Sequence, residues 1–69
     1  MDLKWEDGFT IKVDTEHGEV VIAANKEGLI SLANHLMCLA KEAPGSHIHL
    51  DEHNSLEEGS AELILVRVE

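Results

Sequence analysis

Hydrophobic and polar positions alternate along the first part of the chain. Phe9, Ile11 and Val13 are separated by single polar residues, and a period of two is typical of a half-buried strand. The turn-forming residues Glu16-His17-Gly18 follow, and then the apolar run Glu19–Ala24. Two such segments joined by a short turn predict an antiparallel hairpin.

The pattern then changes to helical spacing. Asn25 can act as an N-cap, the segment from Lys26 to about Ala43 predicts a helix, and Pro44-Gly45 ends it. The stripe expected to be buried comprises Leu29, Leu32, Ala33, Leu36, Leu39 and Ala40, widened by Ile30 and Met37. The side expected to face solvent comprises Ser31, Asn34, His35, Cys38, Lys41 and Glu42.

Alternation returns in the segment Gly45–Glu52, where histidines and an aspartate occupy every second position. This predicts a third strand with His47, His49 and Asp51 on one face and Ile48 and Leu50 on the other. A last strand is expected from about Ala61 to Val68, apolar on both sides and therefore internal in its sheet.

The order of these elements is ββαββ. It predicts a single α+β domain over residues 1–69, with a four-stranded, mainly antiparallel sheet and one amphipathic helix packed on one face. One register places these residues beneath the helix: Ile11, Ile22, Ile48, Leu50, Ile64 and Val66. The uncovered face then carries Thr10, Lys12, Val21, Ala23, His47, His49, Leu63 and Leu65, a mixture typical of a protein interface.

Charge narrows the choice of partner. The chain has 14 acidic and 5 basic residues and a formal charge of −9, which disfavours nucleic-acid binding and favours a basic protein partner. Between Glu42 and Val66 there is no Lys or Arg, and residues Glu52–Ser60 form an acidic loop. With a single cysteine, no signal-like start and no membrane-length apolar run, the sequence is that expected of a cytoplasmic protein.

The histidine strand allows three interpretations. His47-x-His49-x-Asp51-x-His53 has the spacing of a metal site, but it also suits a solvated strand face or a surface that contacts a protein. No cofactor is predicted. A Cys38–His35 pair on the outer side of the helix has no pocket around it, so catalysis is not expected.

Three short segments resemble one known family. They are Asn-x-x-Gly-Leu at Asn25–Leu29, Pro-Gly-Ser-His-Ile-His-Leu-Asp at Pro44–Asp51, and Ser-x-Glu-Leu-Ile at Ser60–Ile64. Together they resemble immunity protein 32, a family of small bacterial immunity proteins encoded beside polymorphic toxins. The resemblance spans about residues 19 to 68 and does not include the strand from Phe9 to Asp14. It implies an α+β protein that binds and neutralises a cognate toxin without catalysis.

The charge pattern and the resemblance lead to one hypothesis about the contact surface. The residues expected to meet a basic, nucleic-acid-directed toxin are His47, His49, Asp51, Glu52, Glu57 and Glu58. Opposite charges would steer the two proteins together. Two alternatives remain open at this point: a small metal-binding domain that uses the histidine strand, and a homodimer that pairs its open sheet faces or edge strands.

Overall fold

The computed structural model describes residues 1–69. Its elements are β1 (Ile11–Glu16), β2 (Glu19–Ala24), α1 (Lys26–Ala40), β3 (His47–Leu50) and β4 (Leu63–Val66). The order ββαββ and the α+β class are confirmed. The helix is shorter than expected, because it ends at the C-cap residue Lys41, whose backbone N–H donates to the carbonyls of Cys38 and Leu39.

The strands form two separate two-stranded antiparallel sheets, so the predicted four-stranded sheet is not observed. The first sheet pairs β1 with β2 from Ile11 opposite Ala24 to Glu16 opposite Glu19. Its two-residue turn holds His17 and Gly18 at φ of 52° and 79°. Positive φ at both central residues matches the right-handed twist of the flanking strands.

The acidic loop explains why the sheets do not merge. Its backbone binds the edge of β1 that β2 leaves free: the N–H of Glu57 donates to the carbonyl of Ile11 and that of Ala61 to the carbonyl of Val13, each at 2.8 Å. The hydroxyl of Ser60 accepts from the N–H of Val13. Strand β4 consequently pairs only with β3, and the expectation that it is an internal strand is wrong.

The helix starts close to the first sheet. The Asn25 side-chain oxygen accepts from the N–H groups of Gly28 and Thr10, and its amide donates to the carbonyl of Gly8. A Cβ atom on Gly28 would lie 2.3 Å from the Thr10 carbonyl oxygen. A side chain at position 28 would therefore separate the first turn of α1 from β1.

The helix is rotated relative to the expected stripe. Its buried residues are Gly28, Ser31, Leu32, His35 and Leu39. Leu29, Ile30, Ala33, Leu36, Met37 and Ala40, all expected inside, are exposed. Ser31 and His35, both expected outside, have no exposed surface at all.

The first six residues account for the burial of Ser31 and His35. Residues Met1–Glu6, here called the N-terminal strap, run antiparallel to α1 and cover its polar side. The Glu6 N–H donates to the Ser31 hydroxyl at 2.8 Å, and the Lys4 carbonyl lies 3.0 Å from His35 Nε2. A long contact joins Cys38 Sγ to the Asp2 carbonyl.

The core lies between the helix and the inner faces of both sheets. It consists of Ile11, Val13, Leu32, Leu39, Ile48, Leu50 and Leu56. Trp5 stacks on Phe9 at a ring-centre distance of 4.5 Å and meets the His35 ring edge-on at 4.1 Å. The strap thereby adds an aromatic layer to a small aliphatic core.

Candidate partner-binding surface

The outer side of the second sheet carries both predicted strand histidines. His47 lies opposite Val66 and His49 opposite Ile64, and directly opposed residues share a face. All four are exposed, whereas Ile48 and Leu50 point into the core. We call His47, His49, Ile64 and Val66 the histidine face. The predicted separation of histidines from core residues along β3 is confirmed.

The two aliphatic residues of the histidine face lie on the opposite side of their strand from the one expected. Ile64 and Val66 were expected beneath the helix, but they are 54 % and 52 % exposed, and Leu63 and Leu65 face inward instead. Every position of β4 is apolar, so its sequence carries no alternation to show which residues are inside. Pairing with β3, whose alternation is clear, determines which side chains of β4 face the core.

Carboxylates surround one of the two histidines. His49 Nε2 lies 3.6 Å from Glu62 Oε2 and 3.8 Å from Asp51 Oδ2. Both distances are longer than a hydrogen bond, so the two carboxylates lie near the ring without bonding to it. Glu62 was not among the predicted residues, although its spacing of two and four from Ile64 and Val66 places it on the same side of the chain.

Asp51 and Glu52 are partly occupied in holding the acidic loop. Asp51 Oδ1 accepts from the N–H of His53, and the Asp51 carbonyl accepts from the N–H of Leu56. Glu52 Oε2 accepts from the N–H of Gly59 at 2.8 Å. These bonds close the turn after β3 and bring Leu56 into the core, so both carboxylates have a structural role.

Glu57 and Glu58 are exposed at the outer part of the same loop. Neither side chain forms an ion pair within 4 Å. The backbone of Glu57 is fixed to β1 through the Ile11 carbonyl. The loop therefore presents two uncompensated carboxylates from a backbone that is anchored in the fold.

The structure does not bring the predicted metal-ligand side chains together. The His53 ring lies beside Glu52, with Nε2 3.7 Å from Oε1, and no three His, Cys, Asp or Glu side chains come together as a metal-binding group. The metal-binding alternative is not favoured by this arrangement.

His35 and Cys38 occupy a different environment from the one expected. Both contact the backbone of the N-terminal strap rather than bulk solvent. A carbonyl can only accept, so His35 Nε2 carries a proton, while its buried Nδ1 has no hydrogen-bond partner. Burial lowers the pKa of His35 below its ordinary value of 6.5, and the hydrogen bond to Lys4 opposes part of that effect.

The fold and this surface define a small α+β protein with an open strand face of mixed aliphatic, imidazole and carboxylate groups. A model of the immunity protein 32 family matches residues 19–68. The chain belongs to this family, as the sequence motifs indicated. Comparison with curated proteins and with solved structures gave no match. Helix α1, with 15 residues, does not combine the length and apolarity that a membrane span needs.

Proposed function

We propose that this protein neutralises a cognate toxin by direct contact through the histidine face and the adjoining acidic loop. Membership of the immunity protein 32 family supports the toxin-binding role. The position of the contact is supported by one observation: two histidines and two exposed aliphatic residues lie side by side on a face that no other part of the chain covers.

The chemistry of this surface suits a basic toxin domain. Ile64 and Val66 offer apolar area for the centre of an interface, and the imidazoles can donate or accept hydrogen bonds beside them. Glu57, Glu58 and Glu62 supply negative charge around that centre. A toxin that acts on nucleic acid would carry the complementary positive cleft, and opposite charges raise association rates by roughly 10 to 1,000-fold. The protein itself contributes binding rather than catalysis in this proposal.

Charge reversal tests the acidic loop. Binding to the purified cognate toxin domain is measured at several salt concentrations. The double variant Glu57→Lys, Glu58→Lys is expected to slow association and to flatten its salt dependence, because it removes steering charge. The matched control is Glu16→Lys, Glu19→Lys, which makes the same charge change beside the turn of the first sheet.

Truncation tests the histidine face separately. We expect Ile64→Ala or His49→Ala to accelerate dissociation by about tenfold or more if these residues lie at the centre of the interface. Equal effects of the loop pair and the control pair would show that only net charge matters. If the loop variant and the histidine-face variants all keep wild-type affinity and still neutralise the toxin fully, this surface is not the toxin-binding site.

A further inference from the structure

The solvent side of α1 carries a continuous apolar stripe. Its members are Leu29, Ile30, Ala33, Leu36, Met37 and Ala40, and all six are exposed. The four large residues retain between 38 % and 60 % of their accessible surface. Their spacing of three, four and seven places them on one side of the helix. The helix is therefore apolar on two sides, and the fold covers only one of them.

The stripe is also free of charge within a strongly charged chain. No Asp, Glu, Lys or Arg occurs between Glu27 and Lys41, although the protein has a net charge of −9. A basic partner would gain no electrostatic attraction here. Two copies of the protein, in contrast, can meet along residues 29–40 with no charged side chain between them. Each end of the stripe is flanked by one lysine and one glutamate, Lys26 with Glu27 and Lys41 with Glu42.

We propose that α1 packs against α1 of a second copy, antiparallel and about a two-fold axis. In such an interface each contact occurs twice, with the same residues exchanged. An axis midway between positions 34 and 35 places Leu29 opposite Ala40 and Leu36 opposite Ala33. Every large residue in these pairs then faces a small one, which allows the helices to approach closely and interdigitate.

The structure favours a second copy over the toxin as the occupant. The fold has only seven buried hydrophobic core residues, so burying this stripe would add usefully to its stability. An immunity protein has to remain folded before any toxin arrives, and a second copy is present whenever the first is. The helix and the histidine face also lie on opposite sides of the second sheet, because the core residues Leu32 and Leu39 pack with Ile48 and Leu50. A dimer formed through α1 leaves both histidine faces open.

Sedimentation equilibrium of the full chain over a wide concentration range tests this proposal. We expect a reversible dimer, and Leu36→Glu should raise its dissociation constant by about tenfold or more by placing a charge in the apolar contact. The matched control is Val20→Glu, which makes the same charge change at an exposed aliphatic residue on β2. It should leave the dimer intact. Circular dichroism of each variant confirms that the fold is retained.

Nuclear Overhauser measurements on a mixture of labelled and unlabelled chains give a second test that needs no variant. Methyl contacts between copies are expected for Leu29 with Ala40 and for Leu36 with Ala33. A protein that stays monomeric throughout the concentration range overturns the proposal. So does a dimer whose contacts between copies lie at Val20 and Ile22, or one that dissociates with Val20→Glu but not with Leu36→Glu.

Discussion

His35 shows how a single polar side chain can be built into a small core. The ring lies beneath the N-terminal strap, with Nε2 on the Lys4 carbonyl, Trp5 packed nearly perpendicular to it and Nδ1 without a partner. Adding a proton at Nδ1 would create a buried charge with no acceptor beside it. The fold therefore selects the neutral ring, in agreement with the lowered pKa.

Stability should consequently fall as the solution is acidified. In the unfolded chain His35 takes up a proton near its ordinary pKa of 6.5, whereas in the folded protein it does so only at lower pH. Its contribution is complete above pH 6.5 and is lost as the pH drops towards the folded pKa, by at most about 1.4 kcal/mol per pH unit. Urea unfolding between about pH 7.5 and 5, the range around that ordinary value, measures the slope.

Two histidine variants separate this effect from general acid sensitivity. His35→Gln should lower stability at neutral pH and show a shallower loss of unfolding free energy on acidification than the wild type. His53→Gln, at a strongly exposed imidazole, should keep the wild-type slope. If His35→Gln and the wild type lose stability in parallel, the buried ring is not responsible.

At the scale of single elements, the start of α1 depends on close approach to β1. A methyl group at position 28 would lie 2.3 Å from the Thr10 carbonyl oxygen and 3.0 Å from Ile11 Cγ1. Because the nearer atom belongs to the backbone, the helix or the strand would have to move. This contact gives a physical reason for glycine in the Asn-x-x-Gly-Leu segment.

Gly28→Ala should therefore destabilise the protein, although alanine is the better helix former by about 1 kcal/mol. Overpacking of this kind costs about 1 to 3 kcal/mol, so a net loss is expected in chemical unfolding. Asn34→Ala, on the exposed side of the same helix, should be neutral or slightly stabilising. A Gly28→Ala variant as stable as the wild type would mean that helix and strand separate without cost.

The elements differ in how well their sequences predicted them. The bounds of β2, the N-cap at Asn25 and the two faces of β3 followed from local patterns, because alternation and capping depend on near neighbours. The buried face of α1 did not. Its apolar residues cover too much of the circumference to identify the side that meets the sheets, and the strap binds Ser31 and His35 through its backbone.

The candidate surface was likewise only partly predictable from local sequence patterns. His47 and His49 could be placed on an open face because Ile48 and Leu50 alternate with them. Ile64 and Val66 could not, since their orientation depends on pairing between strands rather than on a local pattern. The split into two sheets also arose from a distant contact, the backbone of the acidic loop on the edge of β1.

At the scale of the whole molecule, excess negative charge is hardly compensated within the fold. Among the 14 acidic residues, Asp14 alone pairs with a lysine or arginine, through a 2.7 Å contact with Lys12. Repulsion among the remaining carboxylates opposes the compact state. The same charges are those proposed to attract a basic toxin, so binding and stability place opposite demands on the surface.

Moderate salt should accordingly stabilise the free protein. Screening shortens the range of repulsion to about 8 Å at physiological ionic strength. We therefore expect the thermal midpoint, measured at about pH 7.5 and so above the ordinary histidine pKa, to rise with added sodium chloride. The Glu57→Lys, Glu58→Lys variant should show a smaller rise. A midpoint that falls with salt in the wild type would indicate that attractive pairs dominate instead.

The N-terminal strap has a consequence for how this protein can diverge. The polar contacts of helix α1 with the strap use main-chain groups, namely the carbonyls of Asp2 and Lys4 and the N–H of Glu6, and only the N–H is a group that proline lacks. Ser31 and His35 therefore take part through their side chains, whereas many residue types at positions 2, 4 and 6 can fulfil the same role. Trp5 is an exception within the strap, because its side chain packs against His35.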